Sequence, residues 1–405
     1  MPLFVPDTLT RQLAAVRRRP PAPVRLYVCG PTVYDSAHVG HARTYLYFDI
    51  VRRWFDVEGV PVRHVMNITD FEDKITARAA ALGMTWCALA RREEQRFLTE
   101  MRALRVKRPH SVPRASRFVP AMVDAIRRLD RRGAIERRPD GWYFRGTPAA
   151  SARNFDVGPV LARHAVSEPG HPFPQDPAAA REFLVWKPQE DPAPSWPSPW
   201  GPGMPGWHLE CFVMAERYLG LPVDLHGGGV DLVYPHHFAE NEVAETLQHR
   251  PFSRVFLHTA FVTAGGKKMA KSSGNLVLLR HAVETFGPDA LRWYLLGRPV
   301  SEAIEWNERE ARRARSDHER VRKEVGGFLE NGASGSLDVA KLRRAVGGIR
   351  ARVTKGFHVE AALSDLREYV AEAARAPNPR FARGERREAA SLFRGVEALL
   401  GLKLR

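Results

Sequence analysis

Residues 26–41, LYVCGPTVYDSAHVGH, fix more of the architecture than any other stretch. Leu26, Tyr27 and Val28 form a short apolar run that Gly30-Pro31 cuts off, the pattern of a strand ending in a sharp turn. Two histidines then flank Gly40, and over residues 42–57 the bulky apolar side chains Tyr45, Phe48, Val51 and Phe55 recur at helical spacing, with Gly59 as a stop. Residues 60–66 alternate as a second strand. Strand, helix and strand in this succession make a right-handed βαβ unit, the first half of a dinucleotide-type parallel sheet.

The remaining chain is read as follows. Asn67-Ile68-Thr69-Asp70 closes the second strand, residues 71–106 predict two helices broken near Gly83, and residues 118–133 predict another. A hairpin is expected at Asp140-Gly141, inside a segment at 134–182 whose Pro, His and Ala content marks it as an insertion between two halves of the sheet. Order resumes at 182–186, followed by a stiff loop at 195–211, SWPSPWGPGMPGWHLEC. A helix at 210–219, a strand at 223–226, a glycine triplet at 227–229, a helix carrying His236 and His237, and a strand at 254–258 complete the second half. The loop at 265–275, GGKKMAKSSGN, precedes an arginine-rich helical segment at 276–405.

Composition narrows the class. Hydrophobic residues at 44% and charged ones at 27% describe a globular chain of 405 residues, with no apolar run long enough to span a membrane and no signal-peptide pattern at the start. A cytoplasmic location and no membrane partner are therefore expected. Cys29, Cys87 and Cys211 are too few and scattered for a disulfide framework, which leaves free thiols or metal ligands. Cys87 lies in an apolar helical stretch without partners and is read as a buried thiol. The formal charge of +16 fits a solvated arginine-rich surface or a polyanion partner, and charge alone does not separate them.

Two motifs carry chemistry. In His38-Val39-Gly40-His41 the histidines share a face at a helix start, and Gly40 lets a flat ligand or phosphate approach the backbone. In the loop at 265–275, glycines on both sides give mobility and three lysines offer charge to a transferring phosphate. This pair resembles the signature motifs of class I aminoacyl-tRNA synthetases. YVCGPTVYDSAHVGHART (27–44), NITDFEDKI (67–75), PSWPSPWGPGMPGWHLEC (194–211), DLHGGGVDLVYPHH (224–237), KKMAKSSGN (267–275) and GPDALRWYLL (287–296) narrow the resemblance to the cysteinyl-tRNA synthetase family, in the family's order over about residues 25–300.

The resemblance implies an α/β fold: a Rossmann-type class I synthetase parallel sheet with an inserted segment, followed by a C-terminal helical bundle. It divides the chain into a lead-in (1–24), the first half of the catalytic domain (25–133), an insertion (134–182), the second half with the lysine loop (183–275) and a helical stem-contact and bundle region (276–405). It further implies activation of L-cysteine by ATP to cysteinyl-adenylate and transfer to tRNA(Cys), with one zinc ion per chain, Mg2+ accompanying ATP, and a monomeric enzyme. Zinc would sit at Cys29, Cys211, His236 and Glu240, ligand types that suit this ion in their own right. Glu242 competes with Glu240, because the family reads His-His-Glu-Asn-Glu where this chain reads His-His-Phe-Ala-Glu-Asn-Glu. The ungapped register favours Glu240, four residues from His236 and on its helical face.

By the same resemblance His38 and His41 would polarise the phosphates and Lys268 and Lys271 would stabilise the transition state. Thr32, Gly40, Gly228, Asp231 and Met269 would complete the ATP site, and Thr69 and Trp207 would wall the cysteine pocket. Ala270 stands where the family has serine. The chain ends about where the family's helical bundle ends, so its anticodon-binding domain is expected to be missing. The acceptor stays open between tRNA and the amine of glucosaminyl-inositol, which a related mycothiol-pathway ligase uses. Arg43, the Pro31-Thr32 pair and the basic charge favour tRNA. A non-catalytic paralogue that only binds RNA or cysteine is a third reading, opposed by the intact histidines, lysines and metal positions.

Overall fold

A computed structural model describes residues 1–146, 181–190, 193–269, 274–330 and 335–405. β1 (Leu3–Pro6) and β2 (Leu13–Val16) pair antiparallel and bury Leu3, Val5 and Val16. The segment at 1–24, read as a lead-in, therefore contains a hairpin whose four-residue strands are too short to show a period in sequence. β3 (Val24–Val28), α1 (Val39–Val57) and β4 (Val62–Met66) form the expected βαβ unit, with Val24 opposite Val62 and Val28 opposite Met66 in parallel register. α2 (Asp73–Ala81) and α3 (Trp86–Ala103) are separated at Gly83, whose φ of +63° suits glycine. α4 (Val119–Asp130) follows.

β5 (Ile135–Arg138) and β6 (Gly141–Phe144) form the hairpin expected at Asp140-Gly141. β6 pairs with β7 (Phe183–Pro188), which pairs with β8 (Gly203–Pro205), so one four-stranded antiparallel sheet joins residues before 147 to residues up to 205. The remainder of the 134–182 segment, residues 147–180, lies outside the described residues.

α5 (Glu210–Tyr218), β9 (Leu225–Gly229), α6 (Phe238–Gln248) and β10 (Phe256–Thr259) complete the central sheet, all parallel in the order β10-β9-β3-β4. The glycine triplet lies inside β9 instead of following it. A Cβ on Gly227 would come within 2.0 Å of the Leu257 carbonyl oxygen, so glycine here serves strand packing. The order of strand addition reverses between β3 and β9, with β4 on one side of β3 and β9 on the other, and their carboxyl ends open the crevice where such sheets bind ligands.

β11 (Val262–Ala264) pairs antiparallel with β12 (Lys267–Lys268). α7 (Leu279–Phe286) and α8 (Pro288–Leu295) lead to β13 (Ile304–Glu305), which pairs parallel with β11, and the chain then continues as α9 (Glu308–Phe328), α10 (Val339–Gly356), α11 (Val359–Ala373) and α12 (Arg386–Leu400). Apart from β13, the expected helical C-terminal region stands.

Side-chain alternation gives the sheet two cores. Leu26, Val28, Met66 and Leu257 join the core shared with α1 and the C-terminal helices, while Tyr27, Cys29, Val65 and Phe256 join the core shared with α4, α5 and α6. Covering both faces is what a parallel sheet requires.

Asp49 of α1 ties the sheet to the C-terminal helices. Its Oδ2 accepts from Arg292 Nη2 at 2.6 Å and from Arg53 Nε at 2.7 Å, and its Oδ1 accepts from Lys107 N at 2.8 Å. Arg292 spends its other donors on the carbonyls of Leu104 and Leu400, and both partners are fully buried. Burial alone would raise the Asp49 pKa, but the charges of Arg292 and Arg53 outweigh it and hold the carboxyl below its usual range. We expect Arg292→Leu, which leaves Asp49 charged and short of its partner, to lower unfolding free energy in urea by about 3–5 kcal/mol. Because the folded pKa of Asp49 is depressed, the contribution is present above the unfolded value of about 3.9 and is lost as pH falls below it. The difference between wild type and variant should therefore shrink in acid.

Candidate active site and metal centre

β3 delivers Cys29 to the crevice. Its N–H donates to the Gly227 carbonyl at 2.9 Å, and the Tyr45 hydroxyl donates to its carbonyl at 3.2 Å. Gly30 follows because nothing larger fits: a Cβ there would lie 1.5 Å from the Asn67 oxygen, and its N–H donates to Asn67 Oδ1 at 2.8 Å. That contact holds the turn after β3 against the turn after β4, where Thr32 and Thr69 bridge in parallel.

α5 brings Cys211 to the same point. A kinked turn over Val233–His237, with Tyr234 extended, and the first residues of α6 bring His236 and Glu240. Cys29 Sγ lies 3.5 Å from Cys211 Sγ and 3.9 Å from Glu240 Oε1, and His236 Nε2 lies 3.4 Å from Cys211 Sγ and 3.0 Å from Glu240 Oε1. All four donor atoms fall within 4.8 Å of one another, and all four residues are buried. A tetrahedral ion with bonds of the zinc type sets its ligands about 3.3–3.8 Å apart. Two sulfurs, one imidazole and one carboxylate at these separations therefore fit a divalent cation. Glu242 is elsewhere, in an ion pair with Arg181 at 3.4 Å, and burial pushes its carboxyl up to about 7.

Sequence reading missed four histidines around this cluster. His226 Nε2 donates to Glu240 Oε2 at 2.8 Å, and its Nδ1 donates to the Tyr27 carbonyl at 3.1 Å. His237 touches Cys29 Sγ at 3.2 Å and His258 at 2.7 Å, and His208 meets His236 at 3.2 Å. Cys29, His226, His237 and Glu240 form a second group of donors, also within 4.8 Å. The signal available in sequence was that His226 and His258 lie in apolar strands, where an imidazole needs a partner. Electrostatics follows from this crowding. Burial opposes a charged His236, but Glu240 and Cys29 raise it to about 10; burial opposes ionised Glu240, but His236 and the neighbouring imidazoles lower it to about 2.

The second half of the site starts at the N-terminus of α1. His38 is its N-cap: Nδ1 accepts from Gly40 N at 3.1 Å, and His41 Nδ1 accepts from His38 N at 3.3 Å. The two rings lie 4.0 Å apart between centroids. They line a pocket of about 200 Å³ together with Thr32, Gly40, Asp231 and Met269, all expected at the nucleotide. Gly229 lines it, while Gly228 sits behind, where a Cβ would lie 3.6 Å from that of Cys29. Trp207 also lines the pocket and stacks on His236 at 4.2 Å and 9°. Thr69 is buried, donating to Glu210 Oε2 at 2.6 Å. Lys268 lies on β12, and Lys271 lies outside the described residues. Cys87 is half-buried, not buried as expected, because it faces the helix start with Thr85 at 3.4 Å.

Comparison with known proteins comes to the same region. The family described as tRNA synthetases class I (C) catalytic domain matches residues 16–316. A "Cysteine--tRNA ligase" of Thermococcus onnurineus is 38% identical over 331 residues, covering 79% of this chain and 67% of the relative. One of Thermococcus kodakarensis is 39% identical, and the match spans 64% of its length. One of Anaeromyxobacter dehalogenans is 37% identical over 99% of this chain and 85% of the relative. Among solved structures, Mycobacterium tuberculosis methionyl-tRNA synthetase in complex with methionyl-adenylate shares the fold at TM-score 0.64 and 17% identity, covering 93% of this chain and 89% of that one.

The cluster generates a direct expectation. Purified protein should carry one equivalent of divalent metal per chain by elemental analysis, and Cys211→Ala or Glu240→Gln should lose it. Glu242→Gln should keep it. His226→Ala, which removes a partner of Glu240 and not a donor of the first group, should weaken metal binding about 10–100-fold.

Proposed function

The chain belongs to the family of class I (C) tRNA synthetase catalytic domains, and on that premise we propose that it activates L-cysteine with ATP and transfers the cysteinyl group to the 3′ end of tRNA(Cys). The observation that carries this reading is that the thiol-imidazole-carboxylate cluster and the histidine-capped pocket share walls. Tyr45 lines the pocket and holds the Cys29 carbonyl, and Trp207 lines it and stacks on His236. A sulfur-recognising centre thus adjoins a phosphate-binding helix start.

Cys29, Cys211, His236 and Glu240 would hold zinc, with Glu240 as the carboxylate because Glu242 is taken by Arg181. When bound, zinc supplies a bond to the substrate thiolate, a distinction that a hydrophobic pocket, limited to about 1–3 kcal/mol for one small group, does not reach. In the first step a carboxylate oxygen of cysteine bonds to the α-phosphorus of ATP, and the bond to the pyrophosphate oxygen breaks. Magnesium accompanies the nucleotide. No protein nucleophile is needed, so positioning and charge stabilisation supply the rate.

His38 and His41 direct the pocket-side N–H groups and the helix N-terminus at the phosphates, since each Nδ1 is engaged in capping. Asp231 offers a carboxylate to the amino group or ribose, and Lys268 and Lys271 neutralise charge developing on the phosphate. Thr69 acts from behind: Asn67 Nδ2 donates to it at 3.3 Å and it donates to Glu210, which fixes the turn that carries Gly30. For the acceptor, α9 presents the exposed cations Arg309, Arg313, Arg322 and Lys323, while Arg312, Arg315 and Arg320 pair with acidic neighbours on the same helix. The charges left without an acidic partner among the described residues suit an RNA backbone.

Cysteine-dependent exchange of pyrophosphate into ATP, followed by acylation of the organism's total tRNA, tests the reading. No exchange would sink it; exchange without tRNA charging, but with turnover on glucosaminyl-inositol, would move the acceptor to a small amine. We expect His41→Ala to lower exchange about 10²–10³-fold while its metal content stays at wild-type level. A variant that also loses its metal would break the division of labour between the two halves of the site.

A further inference from the structure

A second cavity, of about 150 Å³, lies between α1, β4, α3 and the turn after α3. Its walls are Tyr45, Phe48, Met66, Leu98, Met101 and Val106, and one polar ring, His64, faces it. His64 is 5% exposed, and neither of its ring nitrogens has a hydrogen-bond partner. An imidazole so placed is costly unless something fills the space beside it. The imidazole is neutral, because burial lowers its pKa to about 3 with the positive Arg52 and His110 adding to the effect. It therefore offers one donor and one acceptor nitrogen. At the rim stand Arg102 and Arg108, both exposed, with no carboxylate paired to either among the described residues, whereas Lys107 is engaged with Asp56.

We infer that this cavity is a binding site for a single-ring aromatic acid bearing a hydroxyl group. The volume decides the body of the ligand: an apolar cavity of about this size takes a benzene ring. The unpartnered imidazole decides the buried end, since a hydroxyl both donates and accepts and so can meet a neutral histidine. The two free guanidinium groups decide the outer end, because a carboxylate there gains charge-assisted hydrogen bonds. The walls stand without the ligand: Lys107 N donates to Asp49 at 2.8 Å and Val106 N to the Met101 carbonyl at 3.0 Å, which fixes the turn. Tyr45 separates this cavity from the nucleotide pocket, lining both.

The probe is 4-hydroxybenzoate, titrated into the full chain by calorimetry and by NMR of the histidine ring protons, with benzoate and phenol as controls. We expect saturable one-to-one binding with a shift of the His64 ring signals. Benzoate, which leaves the imidazole unpartnered, and phenol, which leaves the rim empty, should each bind about tenfold more weakly. His64→Phe should abolish binding of 4-hydroxybenzoate while retaining a cooperative melt. If that variant does not fold, the Arg102→Ala/Arg108→Ala pair, altered only at exposed positions, should show the tenfold loss instead. The inference is overturned if 4-hydroxybenzoate gives no saturable binding, if benzoate and phenol match it, if the substitutions leave its affinity unchanged, or if a soaked crystal shows ordered water alone on both His64 nitrogens. None of these readings uses catalysis, so they are independent of cysteine activation.

Discussion

Burying charge at the carboxyl edge of a parallel sheet is the constraint from which the rest of this structure follows. Cys29, Glu240, His226, His236 and His237 sit where water does not reach, and no one of them is tolerable as an ion alone. They are tolerable together because each faces an opposite charge or a hydrogen-bond partner within about 3–4 Å. Such spacing demands that strands and turns meet without intervening side chains, and glycine provides it at two points. Gly227 lets β9 approach β10, and Gly30 lets the turn after β3 rest on Asn67. A methyl group at either position would meet backbone, which cannot swing away, so the register of the sheet and the geometry of the cluster are one problem.

Helix α1 transmits that geometry outward. From its N-cap His38, residues 41 and 45 follow at three- and four-residue intervals, and 48 and 49 lie three and four residues beyond 45, so all share a stripe. His38 and His41 cap the helix beside the pocket they line, Tyr45 fixes the carbonyl of Cys29, Phe48 packs where a side chain on Gly227 would be, and Asp49 receives Arg292 from the C-terminal helices. One rigid element thus touches both halves of the site and the region behind it. The Asp49–Arg292 pair is the costly member of the series, stable only because Arg53, Lys107 and two carbonyls complete its hydrogen bonding.

Local patterns were legible and long-range ones were not. The βαβ unit, the break at Gly83 and the hairpin at Asp140-Gly141 could be read because period and turn chemistry act over a few residues. The glycine triplet misled: three glycines signal a turn, yet here they continue β9, because contact with Leu257 across the sheet outweighs their weak strand preference. The hairpin at residues 3–16 and the sheet joining β6 to β7 escaped because each depends on partners that sequence spacing does not name. Four expected metal donors converge, and His236 and Glu240, four residues apart, meet at 3.0 Å despite the kink before α6. For His226 and His258 the sequence signal, an imidazole in an apolar strand, marks the need for a partner without naming it, because such a ring looks the same whether it supports a site or fills a core.

The protons of this cluster bear on how a cation would enter it. Glu240 and Cys29 raise His236 to about 10 and His236 lowers Glu240 to about 2, so within this buried cluster each partner favours the charged form of the other. Cys29, Cys211, His236 and Glu240 would hold a divalent cation that supplies positive charge in place of a proton, since a ligating imidazole must be neutral. Acid would therefore oppose metal binding by keeping His236 protonated. Trp207 stacks on His236 and also lines the pocket at the start of α1, so one side chain joins the cluster to that pocket.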